Sequence, residues 1–267
     1  MDTARKDDSD KLSASFIWLN ITQFLGALND NVFKLLIVFY LITVQGQSNA
    51  GVISAIAGAV FVIPFLIFSA LSGVLADRIS KQRIIVIVKA LEVGVMLIGT
   101  LAFFAGSTPG LYAVLFLMAS QSAFFAPSKY GIVPEIVRKD QLITANGYLE
   151  SFTYLAVIMG TALAPFLAQL MTLHYERVAM VCVAVAAVGL VSCLKIQKTM
   201  PAGSSDRASL IFFKDIWKTM THIRQDSYLF MAVLGAAYFM FVGAFVQINI
   251  IPYGIEVLKL TQEQSGY

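Results

Sequence analysis

The chain alternates long apolar runs with short polar breaks, and the length of those runs sets its reading. Runs able to cross about 30 Å of hydrocarbon occur at Phe16–Val44, Val52–Ala76, Ile84–Ala105, Leu111–Ile132, Leu142–Met171, Val178–Leu194 and Tyr228–Val257. Seven membrane-spanning helices are therefore expected, in an all-α membrane protein. The breaks Gln45–Gly51 and Gly106–Gly110 are short and carry no charge, so helices 1 and 2, and helices 3 and 4, are expected as hairpins. The break Lys195–Asp226 is longer than any other. Within it Leu210, Phe213, Ile216, Trp217 and Met220 recur at helical spacing beside Arg207, Lys214, Lys218 and Arg224. That pattern suits a helix lying on a membrane surface, and a flexible linker is the alternative. The expected organisation is a tail at 1–15, a six-helix bundle at 16–194, a linker at 195–227, and at 228–267 helix 7 with the start of a second bundle.

Composition agrees with the pattern. With 58% apolar and 13% charged residues, the chain has too little polar surface to coat a soluble globule of its length. The nineteen Lys and Arg orient it. With the N-terminal tail in the cytoplasm, Arg5, Lys6 and Lys11, then Arg78, Lys81 and Arg83, then Lys129, Arg138 and Lys139, and the six between Lys195 and Arg224 all fall inside. Arg177 and Lys259 fall outside, and Lys34 and Lys89 lie within spans. A net charge of +3 spread over successive loops offers no contiguous patch for nucleic acid. The charged start M-D-T-A-R-K-D-D-S-D-K has no apolar core or cleavage site, so no removed signal peptide is expected. Cys182 and Cys193 lie in one predicted helix, roughly 16 Å apart at 1.5 Å per residue, too far to bridge.

Polar residues inside the spans are the candidates for function. Helix 1 carries Asn20, Gln23, Ala27, Asp30 or Asn31, and Lys34 along one stripe, which must face protein or water. Asp30 falls near mid-membrane, where an ionisable group is a functional candidate. Lys34 is one turn away, so a structural Asp30–Lys34 ion pair is the alternative. Lys89 and Glu92, at i and i+3 in helix 3, read first as a structural pair. Lys129 lies just beyond Pro127, and either lines a path or snorkels to the interface. Asn146 and Glu150 share a face of helix 5, with Glu150 about 12 Å inside it. His174 and His222 lie outside the spans on opposite faces, and no nucleophile with its base, metal-ligand cluster or phosphate-cradling glycine loop occurs. No enzyme activity, metal or cofactor is expected.

The break Gly73–Arg83 reads G-V-L-A-D-R-I-S-K-Q-R. So charged a turn must sit at a water face, with one helix ending near Ala76 and the next starting near Ile84. An ordinary basic loop would account for Arg78, Lys81 and Arg83, but not for Gly73 and Asp77 one turn apart. The stretch resembles the signature loop of the major facilitator superfamily, G-x-L-A-D-R-x-G-K/R-x-R between the second and third helices. Gly73, Leu75, Asp77, Arg78, Lys81 and Arg83 match it. Ser80 stands where the family usually has glycine, which implies a looser turn. The resemblance implies an N-terminal six-helix bundle of the major facilitator fold plus helix 7, with substrate held between that bundle and a second one. It also implies a cytoplasmic loop that serves state switching and not substrate binding. With one bundle and one further helix present, the chain is expected to be a fragment.

Three more segments narrow the resemblance: N-D-N-V-F-K at 29–34, A-P-S-K-Y-G at 126–131 and A-N-G-Y-L-E at 145–150. They are similar to the bacterial lysophospholipid transporter branch, over roughly residues 16–267. What this implies is transport of lysophosphatidylethanolamine and related one-chain lipids across the bacterial inner membrane for re-acylation. Members also occur fused to an acyltransferase and an acyl-carrier-protein (acyl-ACP) synthetase, which implies such a partner or fusion. Carried over by match, Asp30, Asn31, Lys129, Asn146 and Glu150 would line the head-group path. Part of the branch has an arginine in helix 7 near Gln247 of this chain. A proton-coupled transporter of a small solute, sugar or drug, working through Asp30, is one alternative. A membrane module of a fused phospholipid acyltransferase is another, although the acyltransferase pattern H-x-x-x-x-D is absent from this sequence.

Overall fold

The computed structural model describes residues 12–171, 174–200, 221–260 and 264. Its long helices are α1 (Ala14–Gln45), α2 (Ala50–Arg78), α3 (Lys81–Phe104), α4 (Thr108–Gly131), α5 (Leu142–Leu170), α6 (Tyr175–Cys193) and α7 (Ser227–Glu256). All seven are long and apolar enough to cross a membrane, as the sequence pattern predicts, and no strand occurs among the described residues. The expected surface helix around Leu210–Met220 lies outside the described residues.

Local chemistry sets the helix ends. Ser13, Ser107 and Asp226 cap α1, α4 and α7, accepting from the backbone N–H of Phe16 (3.2 Å), Gly110 (3.2 Å) and Tyr228 (2.9 Å). Gly46 ends α1 at φ 95°, and Gly106 turns the chain after α3 at φ 61°, both in conformations that favour glycine.

The packing is that of a helical bundle. α1 lies against α5 and α6 along its length, α2 pairs with α4, and α3 with α4 and α6. The expected hairpin of helices 1 and 2 is thus a short connection and not a packed pair, since α1 and α2 diverge after the turn Gln47–Asn49 to find other neighbours. Close approach is made through glycine. A Cβ at Gly160 of α5 would lie 2.8 Å from the Leu28 carbonyl oxygen of α1, and Gly99 of α3 receives the Phe33 ring.

α1 also orders the interior into layers. Near its start Phe16 and Leu19 join Ile85, Ile132, Leu149, Cys193 and Ile196 in one apolar core. Towards its end Phe33, Leu36, Ile37, Leu41 and Ile42 join Met96, Phe103, Leu115 and Val178 in a larger one. Between the two lies the polar stretch of α1, where Asn20, Gln23 and Asn29 are buried. α7 touches this bundle at one end only. Its Ile251 and Ile255 pack with Ala50, Ile53 and Ala57 of α2, while Tyr228, Phe239 and Phe241 are 91%, 74% and 70% exposed.

Candidate functional site

In the polar layer a cavity of about 300 Å³ opens between α1, α2, α3, α4 and α5. α1 supplies Gln23, Asp30 and Asn31, α3 supplies Lys89 and Glu92, α4 supplies Gln121, Ser122 and Lys129, and α5 supplies Thr153. Phe61, Phe65 and Phe125 form the apolar part of the wall. A larger groove of about 720 Å³ lies beside α1 and α5 at the Leu12 and Asp140 end, but it is mostly apolar. Convergent polar groups, not volume, mark the smaller cavity as the candidate site.

Lys129 is 7% exposed, so it turns inward and does not snorkel. Its Nζ donates to Gln23 Oε1 and Thr153 Oγ1, both at 3.3 Å. Gln23 is itself fixed, donating from Nε2 to the Leu149 carbonyl at 3.0 Å and accepting from Thr153 at 2.8 Å. The cation is therefore held on neutral oxygens, an arrangement able to take an anionic ligand.

Asp30 accepts a 2.7 Å bond from Ser122 Oγ at Oδ2, while its buried Oδ1 has no hydrogen-bond partner among the described residues. The Asp30–Lys34 ion pair that helical spacing allows is not formed. Lys34 Nζ donates instead to Asn31 Oδ1 at 3.4 Å and lies 5.1 Å from the centre of the Phe61 ring. Asn31 uses its amide on the Ala27 carbonyl at 2.7 Å.

Lys89 and Glu92 do pair, at 2.6 Å, with side chains only 3% and 1% exposed. Asn29 donates to the other Glu92 oxygen at 3.4 Å, and a Cβ at Gly26 would collide with Lys89 Nζ. The pair is structural, as its spacing suggests, yet it also lines the cavity. Glu150 is half-buried and outside the cavity lining, where it accepts a 2.6 Å bond from Tyr130 OH. Asn146 is exposed one turn earlier on α5, and Gln247 is exposed on α7. The structure thus gathers Asp30, Asn31 and Lys129 and leaves Asn146 and Glu150 outside the cavity. It adds Gln121, Ser122 and Thr153, which the sequence reading did not single out.

The Gly73–Arg83 segment differs from its expected shape. α2 continues through Asp77 to Arg78 and α3 begins at Lys81, so the turn is only Ile79 and Ser80. Ser80 does not loosen it. At φ −50° it needs no glycine, and its Oγ accepts from Arg83 N at 3.5 Å as the cap of α3. Lys81 is 7% exposed, pairs with Glu135 at 2.5 Å, and lies where a Cβ at Gly131 would come within 2.8 Å of its Cε. Asp77, Arg78 and Arg83 are exposed, and Gly73 has nothing within 4 Å of its Cβ position. Among the described residues no group of three or more His, Cys, Asp or Glu could hold a metal ion.

A bundle of membrane-length helices with polar groups converging between two apolar layers, and with charged residues flanking a two-residue turn between its second and third helices, defines a class of membrane protein. The family profile described as Major Facilitator Superfamily matches residues 19–267, and the chain belongs to that family. Among its relatives, "Lysophospholipid transporter LplT" of Serratia proteamaculans (strain 568) is 30% identical over 195 residues, covering 73% of this chain and 46% of the relative. The protein of the same name from Yersinia pestis (strain Pestoides F) is 29% identical over 198 residues, covering 74% and 46%. The chain thus spans about half the length of the relatives it matches. A POT family transporter crystallised with 5-aminolevulinic acid shares the fold at a TM-score of 0.56 and 16% identity, covering 91% of this chain and 51% of that one.

Proposed function

We propose that the protein handles lysophospholipid, as the N-terminal part of a transporter that moves it between the leaflets of a bacterial inner membrane by alternating access. The observation that carries this reading is the meeting of Lys129, Asp30 and Asn31 in one cavity with an apolar aromatic wall. A zwitterionic head group crossing hydrocarbon needs a cation for its phosphate and an anion for its ammonium. Lys129 takes the phosphate, and Asp30 takes the ammonium on its unpartnered Oδ1. Glu150 and Asn146 extend the polar path along α5 towards the water face. The names of the relatives support the substrate. No bond is made or broken in this reading.

In it the tail 1–15 is cytoplasmic, 16–194 is the first bundle, 195–227 is the linker, and 228–267 opens the second bundle that completes the site. Gly73, Asp77, Arg78, Lys81 and Arg83 form the switch at the cytoplasmic face, with the Lys81–Glu135 pair holding one state. An acyltransferase and acyl-ACP synthetase, as partner or fusion, re-acylates the delivered lipid. The test is uptake of labelled lysophosphatidylethanolamine by cells producing the chain together with the second bundle that completes its site, against sugars and drugs. Asp30→Asn and Lys129→Gln should each lower lipid uptake about tenfold, the loss of one charged hydrogen bond, with insertion unchanged. Uptake of a soluble solute alone, or of lipid at full rate in both variants, rejects the proposal.

A further inference from the structure

Two grooves flank the first turns of α1 on its outer side. One, beside α5, includes Asp140 and no Lys or Arg in its lining. The other, of about 380 Å³, lies between α1 and α6 and is lined by Trp18, Ala187, Val188, Val191, Ser192 and Lys195. Lys195 is the charged residue of that lining, and among the described residues no carboxylate is present in it. The groove shares no residue with the mid-membrane cavity.

The α6 groove is built and not incidental. Lys195 Nζ lies 4.0 Å from the centre of the Trp18 ring. The turn that carries it is anchored, since Ile196 is 2% exposed in the apolar core at this end and Gln197 N donates to Ser15 Oγ at 3.2 Å. Below Lys195 the walls are apolar and face outward, with Val188 and Val191 55% and 58% exposed. From Ala187 to Lys195 the groove follows α6 for roughly 12 Å. The Ser192 hydroxyl donates to the Val188 carbonyl at 2.9 Å, which leaves Lys195 as the group that meets a charge.

We infer that this groove binds a membrane phospholipid of net negative charge, with its phosphate on Lys195 Nζ and one acyl chain along Ala187, Val188 and Val191. A tryptophan and a lysine at the end of a membrane helix suit the head-group layer. A basic pocket between helices at that depth favours an anionic head group. A zwitterionic lipid would bring an ammonium that no carboxylate among the described residues of this groove receives. The inference does not depend on which substrate the mid-membrane cavity takes.

The test is native mass spectrometry of the purified protein, counting retained phosphatidylglycerol against phosphatidylethanolamine of the same chain length. Phosphatidylglycerol should be retained about fivefold better, the effect of one lysine at a membrane surface. Lys195→Gln should abolish the preference, Lys195→Arg should keep it, and Lys139→Gln, near the other groove, should leave it unchanged. Val188→Trp fills the groove with Lys195 intact, and it too should release the lipid. Equal retention of both lipids by the parent protein, or an undiminished preference in Lys195→Gln and Val188→Trp, overturns the inference. Release of bound phosphatidylglycerol by millimolar glycerol phosphate also overturns it, by making this a site for soluble phosphate.

Discussion

α1 and α7 are helices of 32 and 30 residues, both apolar enough to span a membrane, and they meet opposite fates. In α1, Leu19, Phe33, Leu36 and Leu41 are fully buried, whereas in α7 Tyr228, Tyr238 and Phe239 are 91%, 64% and 74% exposed. Apolarity decides that a helix enters the bilayer and says little about what it packs on, because lipid is as apolar as a leucine side chain. Small and polar residues make the difference. α1 meets Gly99 and Gly160 of its neighbours at close range, and its Gly26 admits Lys89. Gly235 and Gly243 of α7 have nothing within 4 Å of their Cβ positions.

The largest effect should come from the buried charges that hold α3 beside α1. Removing one member of the Lys89–Glu92 pair, as in Glu92→Ala, leaves an uncompensated buried charge and should cost about 3 to 5 kcal/mol. Thermal unfolding of the purified protein in detergent checks it. The apolar double change Lys89→Met with Glu92→Leu should recover most of that loss, since it leaves no charge unpaired. Gln247→Leu on exposed α7 should leave the melting temperature unchanged. Equal losses in α3 and α7 would show that burial does not separate the two regions.

This pair also marks where the sequence was legible. Spacing at i and i+3 gave the Lys89–Glu92 contact, and apolar run length gave every span. The same spacing argument misplaced Lys34, which could reach Asp30 or Asn31 on one helical face and donates to Asn31. That Asp30 and Lys129 share a cavity depends on how α1 meets α4 across some ninety intervening residues, as the Ser122–Asp30 bond shows, and no local pattern fixes it. Ser122 and Thr153 were silent for another reason. A hydroxyl in an apolar helix ordinarily bonds the carbonyl one turn back, as Ser120 does to Phe116 at 2.7 Å. Nothing in the sequence separates Ser120 from Ser122, which turns to Asp30 instead. Ser80 looked like a departure needing a looser turn, but only its backbone angle reveals that glycine is not required there.

The next effect tests close approach itself. A Cβ at Gly160 would lie 2.8 Å from the Leu28 carbonyl oxygen and 2.9 Å from Asn31 Cβ, so α5 must move away from α1 to admit it. Backbone atoms cannot rotate aside as a side chain can. Gly160→Ala should therefore cost about 1 to 3 kcal/mol, the usual range for overpacking, despite alanine's better helix propensity. The displaced wall carries Thr153, so lipid uptake should fall with stability. A melting temperature equal to that of the parent would mean that the α1–α5 contact is looser than this geometry.

The smallest effect has the opposite sign and lies in α7. Gly235 and Gly243 sit mid-helix with open space at their Cβ positions, and a glycine there costs stability through the freedom it retains in the unfolded chain. Gly235→Ala and Gly243→Ala should each stabilise this chain by about 0.4 to 1 kcal/mol if their faces have no partner. The same changes become a probe once a partner is supplied. A second bundle laid on α7 through small residues, as α5 is laid on α1, would turn the gain into a loss like that at Gly160. Melting the two variants in the 267-residue chain, alone and with a second bundle present, reads that change of sign directly. Destabilisation in the isolated chain would mean that another copy already covers α7, and the contrast with α1 would then lie in partner identity and not in packing.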